Sequence, residues 1–174
     1  RGTRSLPGYA LADKYGNLFV YNEDQNGSYI LKASPNGLVS LVVGGGSDAN
    51  GSTWPGKPAT DIQFERIDDY RFYHNTDPFT LDQNGNILIL KKETYPGYSC
   101  KLFRVDATTG IISQVLGGGT QHPSKDKHIQ AQELELSMFG INRGTRSLPG
   151  YALADKYGNL FVYNEDQNGS YILK

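Results

Sequence analysis

Three carboxylates recur in one local pattern. Asp13, Asp82 and Asp155 each open an Asp-x-x-Gly-Asn stretch: Asp13-Lys14-Tyr15-Gly16-Asn17, Asp82-Gln83-Asn84-Gly85-Asn86 and Asp155-Lys156-Tyr157-Gly158-Asn159. Carboxylate, amide and backbone carbonyl oxygens are hard ligands, so calcium is the first chemistry to weigh. The competing reading is turn formation, in which Asp caps its own turn, Gly supplies a positive φ and Asn begins the next strand. The turn is favoured, because each motif brings one carboxylate where a calcium loop brings several. The run Asn22-Glu23-Asp24-Gln25-Asn26 and its copy at 164–168 are richer in oxygen, but a solvated hairpin tip accounts for them.

The other reactive side chains form no recognisable constellation. His74, His122 and His128 fall in expected loops, with no pair at a helical metal spacing. Asp68, Asp69, Glu133 and Glu135 come nearest to paired carboxylates for acid–base work, yet nothing in their spacing makes them converge. Gly44-Gly45-Gly46 and Gly117-Gly118-Gly119 lack the Lys-Ser/Thr and helix of a phosphate loop and read as strand-ending turns. There is no Gly-x-Ser-x-Gly elbow and no dinucleotide fingerprint. No metal or other cofactor is implied, and the chain reads as non-catalytic. Cys100 stands alone, so it forms no internal disulfide and reads as a buried strand residue.

Trp54, Tyr70, Phe72, Tyr73, Tyr95 and Tyr98 cluster in or beside long loops. Aromatics so placed are candidate recognition groups for protein, peptide or glycan. Packing of those loops onto their own sheet is the alternative. A net charge of −1 gives no electrostatic reason to expect nucleic acid or an anionic membrane. No apolar run reaches the roughly 18 residues of a membrane-spanning helix.

The elements that must position these residues are repeated. Residues 1–32 recur letter for letter as 143–174, an offset of 142. Chance does not produce that identity; the chain is part of a longer tandem array, or an amplified or engineered overlap. Inside the 142 residues lies a diverged half-repeat. The three Asp-x-x-Gly-Asn motifs are 69 and 73 residues apart. Val42-Val43-Gly44-Gly45-Gly46 matches Val115-Leu116-Gly117-Gly118-Gly119, and 59–64 matches 131–136.

Each unit reads as four short strands. The first has them at 9–12, 17–21, 28–33 and 38–43, the second at about 78–81, 86–91, 101–106 and 111–116. The third, at 151–154, 159–163 and 170–174, lacks its fourth. Asn26-Gly27 is a type I′ hairpin signal. A four-stranded antiparallel sheet cannot bury both faces alone, and stacking copies around an axis does so. The expected fold is therefore all-β, with β-propeller blades in an incomplete ring. The expected divisions are 1–46, 47–119 and 120–174. A ring needs at least about four blades, so closure requires more chain or more copies. The Tyr171-Ile172-Leu173 edge would invite self-association, and a two-blade unit favours rings of six or eight.

The landmarks resemble the NHL repeat across essentially the whole chain. A Gly-rich segment, 44–46, leads to Lys57-Pro58-Ala59-Thr60-Asp61-Ile62-Gln63-Phe64, then to Phe79-Thr80-Leu81-Asp82-Gln83-Asn84-Gly85-Asn86-Ile87-Leu88-Ile89. Insertions at 47–56, 67–76, 93–99 and 120–128 lengthen the units, and the family's Asn-His-Arg-Ile stretch is absent. The resemblance implies a scaffold or recognition module in an extracellular or cell-surface setting. Two alternatives stay open: a propeller lyase or hydrolase whose active groups lie in other blades, and a repeat whose only activity is assembly.

Overall fold

A computed structural model describes residues 9–24, 27–63, 79–92, 99–122, 128–137, 152–166 and 169–174. It is all-β, with three antiparallel sheets in chain order. The N-terminal sheet has the order β1 (Ala10–Ala12), β2 (Leu18–Asp24), β3 (Gly27–Ala33), β4 (Val39–Gly44). The middle sheet runs β5 (Thr80–Leu81), β6 (Ile87–Lys92), β7 (Ser99–Val105), β8 (Ile112–Gly117), and β9 (Leu136–Ser137) continues along β7 beyond the end of β8. The C-terminal sheet has β10 (Ala152–Ala154), β11 (Leu160–Asp166) and β12 (Gly169–Leu173).

The two four-stranded meanders match in detail. Each carries a register shift between its third and fourth strands, at Ile30/Leu31 and at Leu102/Phe103. Each then leaves by the same crossover. Gly44 N donates to Ala59 O at 2.8 Å and Gly46 N to Ile62 O at 3.0 Å; Gly117 N donates to Ala131 O at 2.9 Å and Gly119 N to Leu134 O at 3.1 Å. Parallel bridges, Asp48 to Ile62 and Gln121 to Leu134, complete the correspondence.

Hydrophobic burial follows the two-residue period of strands. In the middle sheet, Ile87, Ile89, Phe103, Val105 and Ile112 pack with Phe19, Tyr21, Ile30 and Val43 of the N-terminal sheet. The alternate residues Leu88, Leu102 and Cys100 pack with Val162, Leu160 and Leu173 of the C-terminal sheet. The middle sheet is thus covered on both faces, and Leu134 and Leu136 from the crossover join the second core.

The expected strands are present with shifted ends. β2 continues three residues past Tyr21, because the ladder persists through Asn22–Tyr29, Glu23–Ser28 and Asp24–Gly27. The Tyr21 hydroxyl is hydrogen-bonded to Glu23 and, at 2.7 Å, to Ser28 Oγ, while Asn22 Nδ2 donates to Tyr29 Oη at 2.5 Å. Gly27 is therefore the first residue of β3; Gln25 and Asn26 lie outside the described residues. β9 and a one-turn 3-10 helix at Gly51–Thr53 were not expected from the sequence.

Candidate functional site

The Asp-x-x-Gly-Asn motifs sit at the turns joining the first two strands of each sheet. Asp13 Oδ1 accepts from the amides of Tyr15 and Asn17, each at 2.9 Å, and Oδ2 accepts from Asn17 Nδ2 at 2.7 Å. Asp82 does the same with Asn84 and Asn86, and Asp155 with Tyr157 and Asn159. Gly16, Gly85 and Gly158 take φ values of 80°, 82° and 85°, a region open to glycine at little cost. Both oxygens of every motif carboxylate are thus occupied by N–H donors. The arrangement closes a turn at the start of each second strand.

The same hydrogen bonds show in the acidity of Asp13 and Asp155. Burial alone would raise the Asp13 carboxyl, but the Asn17 side chain, the Asn17 and Tyr15 amides and the nearby Lys32 charge hold it below its usual range. Asp155 is lowered chiefly by its bond from the Asn159 side chain. Asp106 is lowered chiefly by the backbone amides of Thr109 and Thr108, in the turn before β8.

The turns at 13–17, 82–86 and 106–110 border a cleft between the N-terminal and middle sheets, of about 620 Å³. Asp13, Tyr15 and Lys32 line one wall, Gly85, Asp106 and Thr108 the other, with Ala59 and Pro58 from the crossover between. Its polar groups come from the turn residues just described and from Lys32, Ser40 and Thr60. Among the described residues, no three His, Cys, Asp or Glu side chains come together as a metal-binding group.

At the other end of the crossover, Trp54 is 1% exposed. Its indole Nε1 donates to Asp48 O at 3.0 Å, and its ring lies 5.1 Å from that of Phe103. The buried Lys91 places its ammonium 5.1 Å from the indole centroid. Lys57 Nζ lies 2.6 Å from Asp48 Oδ2, and this bond, with donors from Thr53 and Asn50, lowers the Asp48 carboxyl to about 2. The 47–56 insertion therefore folds onto the middle sheet and seals its junction with the N-terminal sheet. Of the six candidate recognition aromatics, Trp54 takes the packing alternative. Tyr70, Phe72, Tyr73, Tyr95 and Tyr98 lie outside the described residues, as do His74, Asp68 and Asp69.

Glu133 and Glu135 have separate partners. Glu133 Oε2 accepts from Gln121 Nε2 at 3.0 Å, and Glu135 Oε2 is 3.2 Å from His122 Nε2. His128 is exposed. The glycine triplets are close-approach points: a Cβ on Gly46 or Gly119 would meet the Asp61 or Glu133 carbonyl oxygen at 2.0 Å. They let the chain cross from one sheet to the next, and among the described residues no phosphate-cradling helix follows them.

One junction leaves almost no mark in the sequence. Residues 56–59 add to the outer edge of β8. Gly56 N donates to Ile112 O at 2.8 Å, Ile112 N to Lys57 O at 2.9 Å and Ala59 N to Gly110 O at 2.9 Å, with Pro58 opposite Ile111. The one available signal was Pro58, which is tolerated where an amide faces away from the ladder. Among the described residues, no helix is long and apolar enough to cross a membrane. Comparison with known proteins gives no match to a family model, to a curated protein or to a solved structure.

Proposed function

We propose that this chain is a non-catalytic NHL-like β-propeller repeat module, a scaffold that presents its inserted loops for protein or glycan recognition. The observation carrying this reading is the middle sheet, a four-stranded meander buried on both faces by the sheets before and after it. A sandwich needs one buried face per sheet; a propeller blade needs two. The non-catalytic part of the reading rests on the carboxylates of Asp13, Asp82, Asp155 and Glu133, each engaged by turn or side-chain donors.

The test is a concatenated chain of three 142-residue units. Class-averaged electron microscopy should show a closed ring of six radial sheets, and an open superhelix or a collapsed sandwich would refute the blade assignment. A glycan and peptide screen against that ring then reads recognition. Hits lost on Tyr95→Ala or Tyr98→Ala support it. An absence of hits, or hits indifferent to the loop aromatics, removes the recognition half of the proposal.

A further inference from the structure

The two identical 32-residue segments fold into the same three strands and bury opposite faces. Ile30 is fully buried, whereas its copy Ile172 is 70% exposed. Phe19 is buried and Phe161 only half so. On the other face the order reverses: Val162 is buried and Val20 half-buried, and Leu160 packs into the second core while Leu18 is exposed. The N-terminal copy covers the face that looks forward along the chain; the C-terminal copy covers the face that looks back. One composite sheet would bury both.

The edges are complementary as well. Pairing by the repeat offsets, Leu38 and Val39 at the start of β4 correspond to Ile111 and Ile112 at the start of β8, and 128–131 correspond to 56–59. Inside the chain, 56–59 covers the β8 edge, so that Ile112 is 1% exposed and Ala59 is buried. The corresponding partners lie apart at the two ends. Val39 is 63% exposed and Ala131 is exposed. Among the described residues, β4 has a strand partner, β3, on one side only.

We propose that a second copy of this chain fills these sites, head to tail, in the geometry of the internal junction. Residues 128–131 of one copy add to the outer edge of β4 of the next. Val39 N then donates to Ile129 O, Ala131 N donates to Gly37 O, and Gln130 lies opposite Leu38. Either identical segment completes the three inner strands of the composite sheet, because their side chains are the same. The contact is heterologous, so it propagates until it closes. This inference rests on the stacked-blade reading above.

The experiment is disulfide trapping in the 174-residue chain. In the internal junction, Pro58 and Ile111 form a non-hydrogen-bonded antiparallel pair, the close-Cα type whose spacing suits a disulfide. Leu38 and Gln130 are both exposed, so Leu38→Cys and Gln130→Cys leave the fold intact. Leu38→Cys and Gln130→Cys chains, carrying tags of different length, are mixed and oxidised. Mixed dimers should exceed both homodimers, and the double variant should give a ladder beyond the dimer. Val39→Pro removes an amide that, like that of Ile112, faces away from its sheet; it should abolish trapping and leave the circular dichroism spectrum unchanged. Homodimers of Leu38→Cys in excess would mean edge-to-edge pairing of β4 and overturn the proposal. Mixed dimers no more abundant than those of a Leu38→Cys and Lys156→Cys control would overturn it too. A closed concatenated ring without trapping would reject this joint alone, whereas failure of the concatenated ring would reject the blades.

Discussion

Ile30 and Ile172 are the same residue in the same 32-residue context, and only the stacking distinguishes them. Removing three carbons by Ile→Ala costs about 2.4 kcal/mol at roughly 0.8 kcal/mol per buried methylene. The cavity left in a close-packed site raises this into a range of about 2–5 kcal/mol. Ile30 is 0% exposed and carries that full cost, whereas Ile172 is 70% exposed. Scaling the transfer contribution by the remaining third gives about 0.7 kcal/mol or less at Ile172. The assay is urea unfolding by circular dichroism, at concentrations where light scattering gives the monomer mass of 19.2 kDa. Ile30→Ala should lower the unfolding free energy by at least about 1.5 kcal/mol more than Ile172→Ala. Equal losses would show that sequence, not stacking, sets the burial of these strands, and would refute the layered core.

Three further outcomes follow from the same geometry. Trp54 is the sole tryptophan and is buried; its emission should be blue-shifted and resist acrylamide quenching, and solvent-like emission would place the 47–56 segment off the sheet. Gly117→Ala should cost clearly more than Gly37→Ala in thermal unfolding. Both take positive φ, which adds about 1–2 kcal/mol for a non-glycine residue, but only at Gly117 does a Cβ meet a carbonyl oxygen, that of Cys100 at 2.3 Å. The carboxyl of Asp48 is lowered in the folded chain to about 2, and those of Asp13, Asp106 and Asp155 are lowered too. Their stabilisation is therefore present above the unfolded carboxylate range and lost as pH falls from about 4 through the folded values. An NMR titration should find Asp48 still ionised at pH 3 and normalised by Lys57→Ala. A midpoint near 4 in the unmodified chain would contradict the Lys57 contact.

Local chemistry made the repeated unit readable. An Asp that caps its own turn, a Gly at positive φ and an alternating apolar strand leave their mark within about ten residues, so Asp82–Asn86 announces its turn as clearly as Asp13–Asn17. The extension of β2 was hidden because Asn22, Glu23 and Asp24 are polar, and their place in the ladder depends on the partners Tyr29, Ser28 and Gly27 across the hairpin. The crossover edge was hidden for a longer-range reason: Lys57 and Ile112 are 55 positions apart, and neither residue alone signals pairing. Trp54 carried the same ambiguity as any loop aromatic until Asp48 and Phe103 supplied its pocket. The candidate carboxylates were legible as turn formers because each stands alone in its motif.

In the stacking proposed above, each sheet of this repeat requires a neighbour on both faces, and the sheets at 10–44 and 152–173 offer complementary halves of that requirement. Multi-angle light scattering across a concentration series tests it most directly. The mass should grow from 19.2 kDa to a discrete multiple of that value, with Val39→Pro remaining at 19.2 kDa. A mass of 19.2 kDa at every concentration, in the unmodified chain as in the variant, would contradict it.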